Sequence, residues 1–396
     1  MPLKGIRVLD FSQFLAGPLC GALLADLGAE VIKIERPATG DPYRGSGPPF
    51  ADGMGAPFIA VNYGKRSICL DLEDENSQDA VAALVRGADI VIVSFRPASL
   101  RKLNLEYDAL RRHRPDLIYC AISAYDDNGP MAETGGLDLI VQAASGLMSV
   151  TGDSDGTPMR SGVPITDYGT ALVAALNTIA ALRNRDLTGN GCKVNASLFG
   201  TAALFGSVAL VHAQLAGEDQ PRSGNAHPHI APYQLVRTQD GYLAISAATP
   251  SSWSALCAAL DLRHLEDDDL FASNALRIAH RQELIAVLEE KFTTRPTAAW
   301  ADILDRAGVP CGPVNNYTTL LNEPNWLSHM PTNQFEVDGR DILVPHMPAF
   351  WNGAPVRVDS KSVAPHLGAD TEAVLAGFGL DGDEPVPGDE TVPGGR

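Results

Sequence analysis

Short apolar runs alternate with amphipathic segments through the first third of the chain, and this alternation constrains the fold more than any other feature. Helical patterns such as GPLCGALLADLG (17–28) and SQDAVAALVRG (77–87) lie between predicted strands. This order is typical of right-handed βαβ units, so we expect an α/β fold with a mostly parallel sheet covered on both faces. Ligands of such sheets bind beyond the carboxyl ends of the strands. The predicted strands are IRVLDFS (6–12), EVIKIE (30–35), SICLDL (67–72), DIVIVSF (89–95) and LIYCAISAY (117–125).

The turn after the first predicted strand carries no phosphate-binding glycine pattern. It reads FSQFLAGPLCG, where a dinucleotide-binding turn would read GxGxxG, so a nicotinamide-dependent dehydrogenase is disfavoured. Basic residues do lie beside strand ends elsewhere, at Lys65-Arg66, Arg96 and Arg101-Lys102. In a chain with a formal net charge of −18, these clusters indicate a bound polyanion, with solvated surface as the alternative.

The second half of the chain has the pattern of a smaller α+β domain. A turn-rich stretch at 217–232 precedes YQLVRTQDGYLAISA, which predicts two strands around an Asp-Gly turn, and NQFEVDGRDILVPHMP predicts a second such pair. We expect a large domain over residues 1–220, completed by residues 326–380, and a small domain over residues 225–325. Residues 381–396 have the composition of a disordered tail.

The composition narrows the partners and the compartment. The net charge of −18 disfavours nucleic acid and an anionic membrane as partners. The chain does not begin with a secretory pattern, and its longest apolar stretch, residues 201–215, is interrupted and short for a membrane span. The six cysteines are scattered without a CxxC pair. Free thiols in a reducing cytoplasm are therefore expected.

Asp167 stands out because of the segment that carries it, SGVPITDYG, which leads into a long apolar helix pattern over residues 170–182. Gly162 and Pro164 suit a chain that turns sharply and presents one side chain in a fixed direction. One interpretation is an N-cap, which would only bond the first free N–H groups of the helix. The other is a nucleophile, because the helix start would keep the carboxylate ionised and able to attack an electrophile.

Two further motifs also allow more than one interpretation. Asp138, in GGLDLIVQAASG, also precedes an apolar helix pattern, and an N-cap and a catalytic role are both open for it. His227-Pro-His229 has the ligand type of a metal site, but no carboxylate or thiol lies at helical spacing, so no metal is expected.

Several motifs in a fixed order resemble the family III CoA-transferases. They are KGIRVLDFSQFLAGP, LADLGAEVIKIERP followed by GDPYR, NYGKRSICLDL, GGLDLIVQAASGLM and SGVPITDYGTAL. In the second half, GNAHPHIAPYQ, DGYLAISA and GVPCGPVNN extend the resemblance to about His366. The resemblance implies a Rossmann-like large domain, a smaller α+β domain and an interlocked homodimer. It also implies that acyl-CoA and small carboxylic acids are the substrates, with no tightly bound cofactor.

The resemblance assigns Asp167 as the covalent nucleophile, which forms an anhydride with the acyl group and then an aspartyl-CoA thioester. A carboxylate suits this role because it can form both intermediates in turn. A small-domain loop near residues 247–252 would shield them from water, although the usual glycines are absent there. The residues that would line the CoA channel are Leu15, Ala16, Arg36, Leu70, Asp71, Leu72, Glu73, Ser94, Phe95, Arg96, Lys102, Gly135, Gly136, Leu137 and Asp138.

The acids themselves are less constrained. Arg160, Arg222, His227 and His229 are candidates for holding an acceptor carboxylate, which favours dicarboxylates such as succinate or C5 acids, with plain surface exposure as the alternative. An α-methylacyl-CoA racemase of the same superfamily is the alternative function. Racemases have His before the Asp of the GxD motif, and Leu137 in that position favours transfer.

Overall fold

The computed structural model describes residues 1–329, 331–356 and 364–380. The chain divides into two compact units. The first contains Met1–Leu147, Ser161–Leu210 and the described residues from His329 onward, and the second contains Met148–Arg160 and Val211–Ser328. The segment Met148–Arg160, which the sequence analysis assigned to the large domain, therefore lies in the second unit. The tail predicted at residues 381–396 lies outside the described residues.

A parallel sheet organises the first unit. The strands up to residue 210 are β1 (Arg7–Asp10), β2 (Glu30–Glu35), β3 (Phe50–Ala51), β4 (Met54–Gly55), β5 (Arg66–Cys69), β6 (Ile90–Val93), β7 (Ile118–Ser123) and β8 (Cys192–Ser197). β3 and β4 form a small hairpin, and the others form one parallel sheet in the order β5-β2-β1-β6-β7-β8. This is the strand order of a doubly wound α/β fold, which reverses between β1 and β6. The predicted fold class is confirmed, and ligands are expected at the carboxyl ends of these two strands.

Helices cover both faces of this sheet. The helices up to residue 216 are α1 (Ala16–Asp26), α2 (Ala56–Asn62), α3 (Ser77–Arg86), α4 (Pro97–Lys102), α5 (Tyr107–Leu110), α6 (Asp138–Ala144), α7 (Ile165–Thr188), α8 (Leu198–Phe205) and α9 (Ser207–Ala216). Successive side chains of a strand point to opposite faces. Along β6, Ile90 and Ile92 accordingly join the core that contains α1 and α7, whereas Val91 and Val93 join the core that contains α3.

Helix α7 is the long core helix of the first unit. It is 24 residues long and apolar enough to span a membrane by length and composition alone, but 50% of its apolar stretch is buried. It packs against α1, which is buried along its whole length, and against α8. The buried half of its apolar stretch is therefore used for packing within the unit.

The second unit contains an antiparallel sheet and a group of helices. Its strands are β9 (Tyr233–Arg237), β10 (Tyr242–Ser246) and β11 (Cys311–Pro313), in the order β11-β10-β9, which confirms the strand pair predicted around Asp240-Gly241. A core that includes Trp253, Phe292 and Trp300 lies within this unit. The helices from here to residue 329 are α10 (Pro250–Ala259), α11 (Asn274–Ala279), α12 (Arg281–Phe292), α13 (Thr297–Arg306), α14 (Tyr317–Asn322) and α15 (Pro324–His329).

The last described segment returns to the first unit. Its elements are β12 (Thr332–Val337), β13 (Arg340–Pro345), β14 (Phe350–Trp351), β15 (Ala354–Pro355) and α16 (Thr371–Gly377). The predicted hairpin of β12 and β13 is confirmed, and Asp338 and Gly339 both have positive φ, as a type I′ turn requires. At the start of α16, Asp370 accepts the N–H of Ser67 at 3.0 Å. This contact satisfies a backbone donor on β5, which is the edge strand of the parallel sheet.

Candidate active site

Asp167 lies in the first turn of α7. The helix begins at Ile165, and Pro164 occupies the cap position without a side-chain hydrogen bond, so the interpretation of Asp167 as an N-cap is wrong. Its half-buried carboxyl has a pKa raised to about 7, first by burial and second by the negative charge of Asp138. From the sequence, the helix start is expected to keep this carboxylate ionised. Burial and the neighbouring charge instead bring it close to half-protonation at neutral pH.

Asp138 binds the start of α7 from another helix. Its Oδ1 accepts the backbone N–H of Thr166 at 2.9 Å and the hydroxyl of Thr166 at 2.7 Å, while Oδ2 accepts from Gln142 Nε2 at 2.6 Å. Gln142 Oε1 in turn accepts the N–H of Ser161 at 2.9 Å. Asp138 is the first residue of α6 and makes no cap bond there. It therefore caps the adjacent helix and fixes the turn that carries Asp167.

A close helix contact holds the other side of this turn. A Cβ added to Gly169 would lie 2.3 Å from the ring of Phe205 and 2.8 Å from Thr201, so only glycine allows α8 this close. The hydroxyl of Thr170 donates to the carbonyl of Thr166 at 2.7 Å and lies 3.0 Å from that of Thr201. Gly169 is thus a packing requirement that keeps the helix carrying Asp167 in place.

An uncharged cleft opens beside Asp167, and we call it the apolar cleft. Pro164 and Tyr168, which flank Asp167 in sequence, both line it. Tyr43 lines it as well, and its pKa is raised first by burial and then by the charge of Asp167. Of the residues that line this cleft, only Leu15 is among those that the resemblance assigned to the CoA channel. The cleft measures about 590 Å³ and is lined by Leu15, Tyr43, Ser46, Gly47, Pro48, Pro49, Ala56, Pro57, Ala60, Val61, Pro164 and Tyr168.

A second cleft of the same unit lies at the carboxyl ends of β2, β5 and β6, and we call it the charged cleft. It measures about 170 Å³ and brings together several residues that the resemblance assigned to CoA. The residues missed by the sequence analysis are Gln13, Ile34 and Leu103. The full lining is Gln13, Ile34, Arg36, Leu70, Asp71, Leu72, Glu73, Phe95 and Leu103. Its position at strand ends next to the β1–β6 reversal matches the expected ligand crevice of a doubly wound sheet.

Two cations at the charged cleft are paired with Glu73. Lys102 Nζ lies 2.8 Å from Glu73 Oε1, and Arg36 Nη2 lies 3.3 Å from Glu73 Oε2. The hydrogen bond from Lys102 is the main cause that lowers the pKa of Glu73, followed by the charges of Lys102 and Arg36. All three side chains are exposed, so this network is open to an incoming anion.

The other predicted CoA residues do not line either cleft. The hydroxyl of Ser94 accepts the N–H of Gln13 at 3.0 Å. The guanidinium of Arg96 covers Gly135 so closely that an added Cβ would lie 2.2 Å from Arg96 Nη2. The remaining members are Ala16, which is buried at the start of α1, Gly136, which is next to Ala124, and Leu137, which is 65% exposed.

The four candidates for binding an acceptor carboxylate all lie in the second unit. Arg222 donates to the backbone carbonyls of Asp153 at 3.1 Å and Gly156 at 2.8 Å, so its guanidinium is committed to this turn, which disfavours a role in acid binding. The ring of His227 stacks on Tyr233, with 5.2 Å between the ring centroids. His212, which the sequence analysis missed, joins His227 and His229 in one group, and Arg160 lies at the end of Met148–Arg160.

No metal site emerges from the described residues, because they contain no group of three or more His, Cys, Asp or Glu side chains arranged to hold an ion.

The segment expected to shield the intermediates, residues 247–252, is not an extended loop. It contains the start of α10, where Thr249 and Ser252 form a capping box: the Thr249 hydroxyl accepts the N–H of Ser252 at 3.1 Å, and Ser252 Oγ accepts the N–H of Thr249 at 2.9 Å. These reciprocal bonds fix the segment as a helix start. Its shielding role stays a prediction.

One protein family matches nearly the whole chain, and the similar proteins described below carry related names. The model of the family described as CoA-transferase family III matches residues 3–371. A succinyl-CoA:glutarate CoA-transferase from Mus musculus is 37% identical over 322 residues, which cover 81% of this chain and 74% of the relative. A succinate–glutarate CoA-transferase from Agrobacterium fabrum is 36% identical over 387 residues and 95% of each chain. The crystal structure of a CAIB/BAIF family protein from Brucella suis is 34% identical, with a TM-score of 0.86 over 96% of this chain and 99% of that one.

Proposed function

The chain belongs to CoA-transferase family III and is an acyl-CoA:carboxylate CoA-transferase, and we propose that it passes CoA to a dicarboxylate through covalent intermediates on Asp167. The observation that carries this proposal is the setting of Asp167. Its carboxyl has a pKa near neutrality, and the residues on either side of it line the apolar cleft. A carboxyl with a pKa near 7 is a stronger nucleophile than an ordinary aspartate and is still ionised in about half of the molecules at neutral pH.

The first half of the reaction loads CoA onto the enzyme. The ionised carboxylate of Asp167 attacks the carbonyl carbon of the acyl-CoA thioester. The C–S bond breaks, CoA leaves as a thiolate, and the acyl group remains on Asp167 as a mixed anhydride. The thiolate then attacks the aspartyl carbonyl of the anhydride. An aspartyl-CoA thioester forms, and the donor acid leaves as its carboxylate. No proton is consumed, because a carboxylate and a thioester exchange places.

The second half runs the same two steps in reverse order with the acceptor. The acceptor carboxylate attacks the aspartyl thioester, which releases the CoA thiolate and forms a second anhydride. The thiolate attacks the acceptor's carbonyl and regenerates the carboxylate of Asp167. Water would hydrolyse either intermediate, so the half-buried position of Asp167 beside an apolar cleft suits the chemistry.

The charged cleft is the proposed site for the nucleotide end of CoA. Arg36 and Lys102 would pair with phosphate oxygens, and the apolar side chains of Ile34, Leu72 and Phe95 would contact the base. For the acid, we propose succinate and C5 dicarboxylates such as glutarate, since both relatives described above are named for these acids. The apolar cleft would hold the carbon chain of the acid, with Tyr43 and Tyr168 as its hydroxyl-bearing neighbours.

A thioester-exchange assay tests this function directly. Purified protein would be incubated with succinyl-CoA and a panel of free acids, and new CoA thioesters would be measured by mass spectrometry. The proposal expects glutaryl-CoA to form with glutarate, and expects no product from the Asp167→Asn variant. Exchange of the α-proton of a 2-methylacyl-CoA in D₂O without an acceptor acid would instead indicate a racemase. Failure with every dicarboxylate but success with monocarboxylates would refute the proposed acid class.

We also propose that the protein acts as a homodimer in the cytoplasm. Large apolar side chains of the first unit are exposed on its helices, with Leu176 at 67%, Leu204 at 62% and Val208 at 69% exposure. Exposed apolar surface of this kind is typical of a protein interface, and a second copy of the chain would cover it. Light scattering that gives a monomer mass at micromolar concentration would contradict the dimer.

The cytoplasmic assignment rests on the cysteines. All six are free, which suits a reducing compartment. A periplasmic location in cell fractionation would contradict this assignment.

A further inference from the structure

Four buried charges lie under the turn that connects β1 to α1, residues Ser12–Leu15. Lys33 Nζ is 2.9 Å from Asp41 Oδ2, and Lys65 Nζ is 2.8 Å from Asp10 Oδ2, with every one of these side chains at 0% exposure. A buried ion pair contributes little to stability unless its remaining hydrogen-bonding groups are also satisfied. Lys65 also donates to the carbonyl of Pro18 and to Asn62 Oδ1. The other three charged residues bond the backbone of the turn.

The backbone of the turn is held by side chains from elsewhere in the unit. Asp10 Oδ1 accepts the N–H of Ser12 at 3.0 Å, and Lys33 Nζ donates to the carbonyl of Ser12 at 2.9 Å. Asp41 Oδ1 accepts the N–H of Phe14 at 3.2 Å. Phe14 has a φ of +65°, a left-handed conformation that is unfavourable for a residue with a side chain. The turn therefore depends on these contacts for its shape.

Asp41 connects this turn to both clefts. The same Oδ1 atom that holds Phe14 also accepts the N–H of Tyr43 at 3.0 Å, and the rings of Phe14 and Tyr43 meet edge to face at 5.5 Å. On either side of Phe14, Gln13 lines the charged cleft and Leu15 lines the apolar cleft, which Tyr43 also lines. One buried carboxylate thus fixes parts of the walls of both clefts.

We propose that Asp41, anchored by Lys33, is a positioning residue for the transfer reaction. It does not touch the reacting atoms. It sets the Ser12–Leu15 turn and Tyr43, and so aligns the thioester and the acid with the carboxylate of Asp167. This inference rests on the proposed function, because the alignment matters only if Asp167 reacts with a thioester.

The test compares two Asp→Asn variants, one at the fully buried Lys33–Asp41 pair and one at an ion-paired carboxylate that is partly buried. Asp41→Asn keeps an oxygen for the two amides but loses the charge that pairs with Lys33. The control, Asp89→Asn, removes a charge that pairs with Arg114 at 2.9 Å and with Arg185 at 3.1 Å. Asp89 lies before the amino end of β6, away from both clefts. Rates are measured per active site, from the adduct that acyl-CoA forms on Asp167 in a single turnover. This readout corrects for any inactive fraction in either preparation.

We expect Asp41→Asn to lower the rate of adduct formation and kcat by about tenfold to one-hundredfold, the effect of misplacing reactants by a fraction of an ångström to about 1 Å. The KM for acyl-CoA should change by less than about threefold, since the charged cleft keeps its cations. Asp89→Asn should lower the melting temperature but leave kcat per site unchanged. Equal kcat per site in the two variants and the wild type would overturn the proposal. So would equal losses of kcat in both variants.

A second variant, Phe14→Gly, tests the same idea if Asp41→Asn does not fold. Glycine accepts the positive φ without strain, so the chain folds, and what is lost is the edge-to-face ring contact that couples the turn to Tyr43. The proposal expects a loss of kcat with little change in stability, and wild-type kcat in this variant would overturn it. A wild type that forms no adduct and transfers no CoA would refute the proposed function itself, an outcome that is distinct from any ratio between variants.

Discussion

The raised pKa of Asp167 predicts how the stability of an Asp167→Asn variant depends on pH. The pKa of this carboxyl is raised from its ordinary value of 3.8 to about 7, so the folded protein binds its proton more tightly than the unfolded chain does. Such a group stabilises the fold fully below the unfolded pKa, and this contribution is lost as the pH rises through the folded pKa. The wild type should therefore lose stability between about pH 4 and about pH 7, relative to a variant that cannot ionise at this position.

The size of the effect follows from the change in pKa. A rise of about three pKa units corresponds to about 4 kcal/mol in the free energy of unfolding, of which about 2 kcal/mol develops between pH 5 and pH 7. Because Asp167 is only half-buried, water screens part of this energy, and we expect about 1–2 kcal/mol. Asp167→Asn should thus become more stable than the wild type by this amount as the pH rises from about 5 to about 8.

Urea unfolding monitored by circular dichroism at several pH values measures this difference. Asp186→Asn, the same substitution at an exposed carboxyl near the other end of α7, is the matched control. The control should follow the wild type at every pH. If the free-energy difference between Asp167→Asn and the wild type did not change with pH, Asp167 would be an ordinary surface carboxyl and the reasoning from burial would be refuted.

Three further predictions concern binding and pH. Replacing Arg36 or Lys102 with Ala should raise the KM for acyl-CoA by about tenfold to one-hundredfold with kcat nearly unchanged, since a charge-assisted contact is worth about 1.5–3 kcal/mol; a fall in kcat at unaltered KM would contradict the placement of CoA in the charged cleft. Glu73→Gln should lower the KM for acyl-CoA about twofold to fivefold at low salt, because it frees Arg36 and Lys102 to bind phosphate, and this effect should shrink in high salt. A raised KM would show that Glu73 assists binding. In the wild type, kcat/KM should rise with pH through about 7 as Asp167 ionises. Asp138→Asn should shift this rise to lower pH, because it removes a neighbouring negative charge, and an unshifted pH profile would contradict the effect of Asp138 on Asp167.

The overall fold could be predicted because its signals are local. The strand β2 has the predicted bounds, Glu30–Glu35, because EVIKIE is a short β-rich run between a glycine-ended helix and a proline. Both Asp-Gly turns led to antiparallel pairs as predicted. The start of α7 was placed at Thr170, yet the helix begins at Ile165. Its first turn has no polar cap nearby in sequence, since the capping carboxylate is Asp138, 28 residues before Thr166.

The site was only partly predictable, because it depends on contacts between distant segments. Arg36 and Phe95 were assigned to CoA only through the family resemblance, and both line the charged cleft. Tyr43 and Tyr168 were missed, since nothing local to either tyrosine shows that they line one cleft. Lys33 lies in a strand where its charge suggests exposure, yet it is fully buried because Asp41, from the next connection, pairs with it. Such pairs become visible only once the sheet is assembled.

The most direct test of the central claim is to trap the covalent intermediate. The wild type would be incubated with acyl-CoA in the absence of an acceptor acid, treated with hydroxylamine, digested and examined by mass spectrometry. We expect a hydroxamate on the peptide that contains Asp167, and none in the Asp167→Asn variant, because an amide cannot form the anhydride or the thioester. A modification on a different peptide, or turnover by the Asn variant at the wild-type rate, would contradict the assignment of Asp167 as the nucleophile.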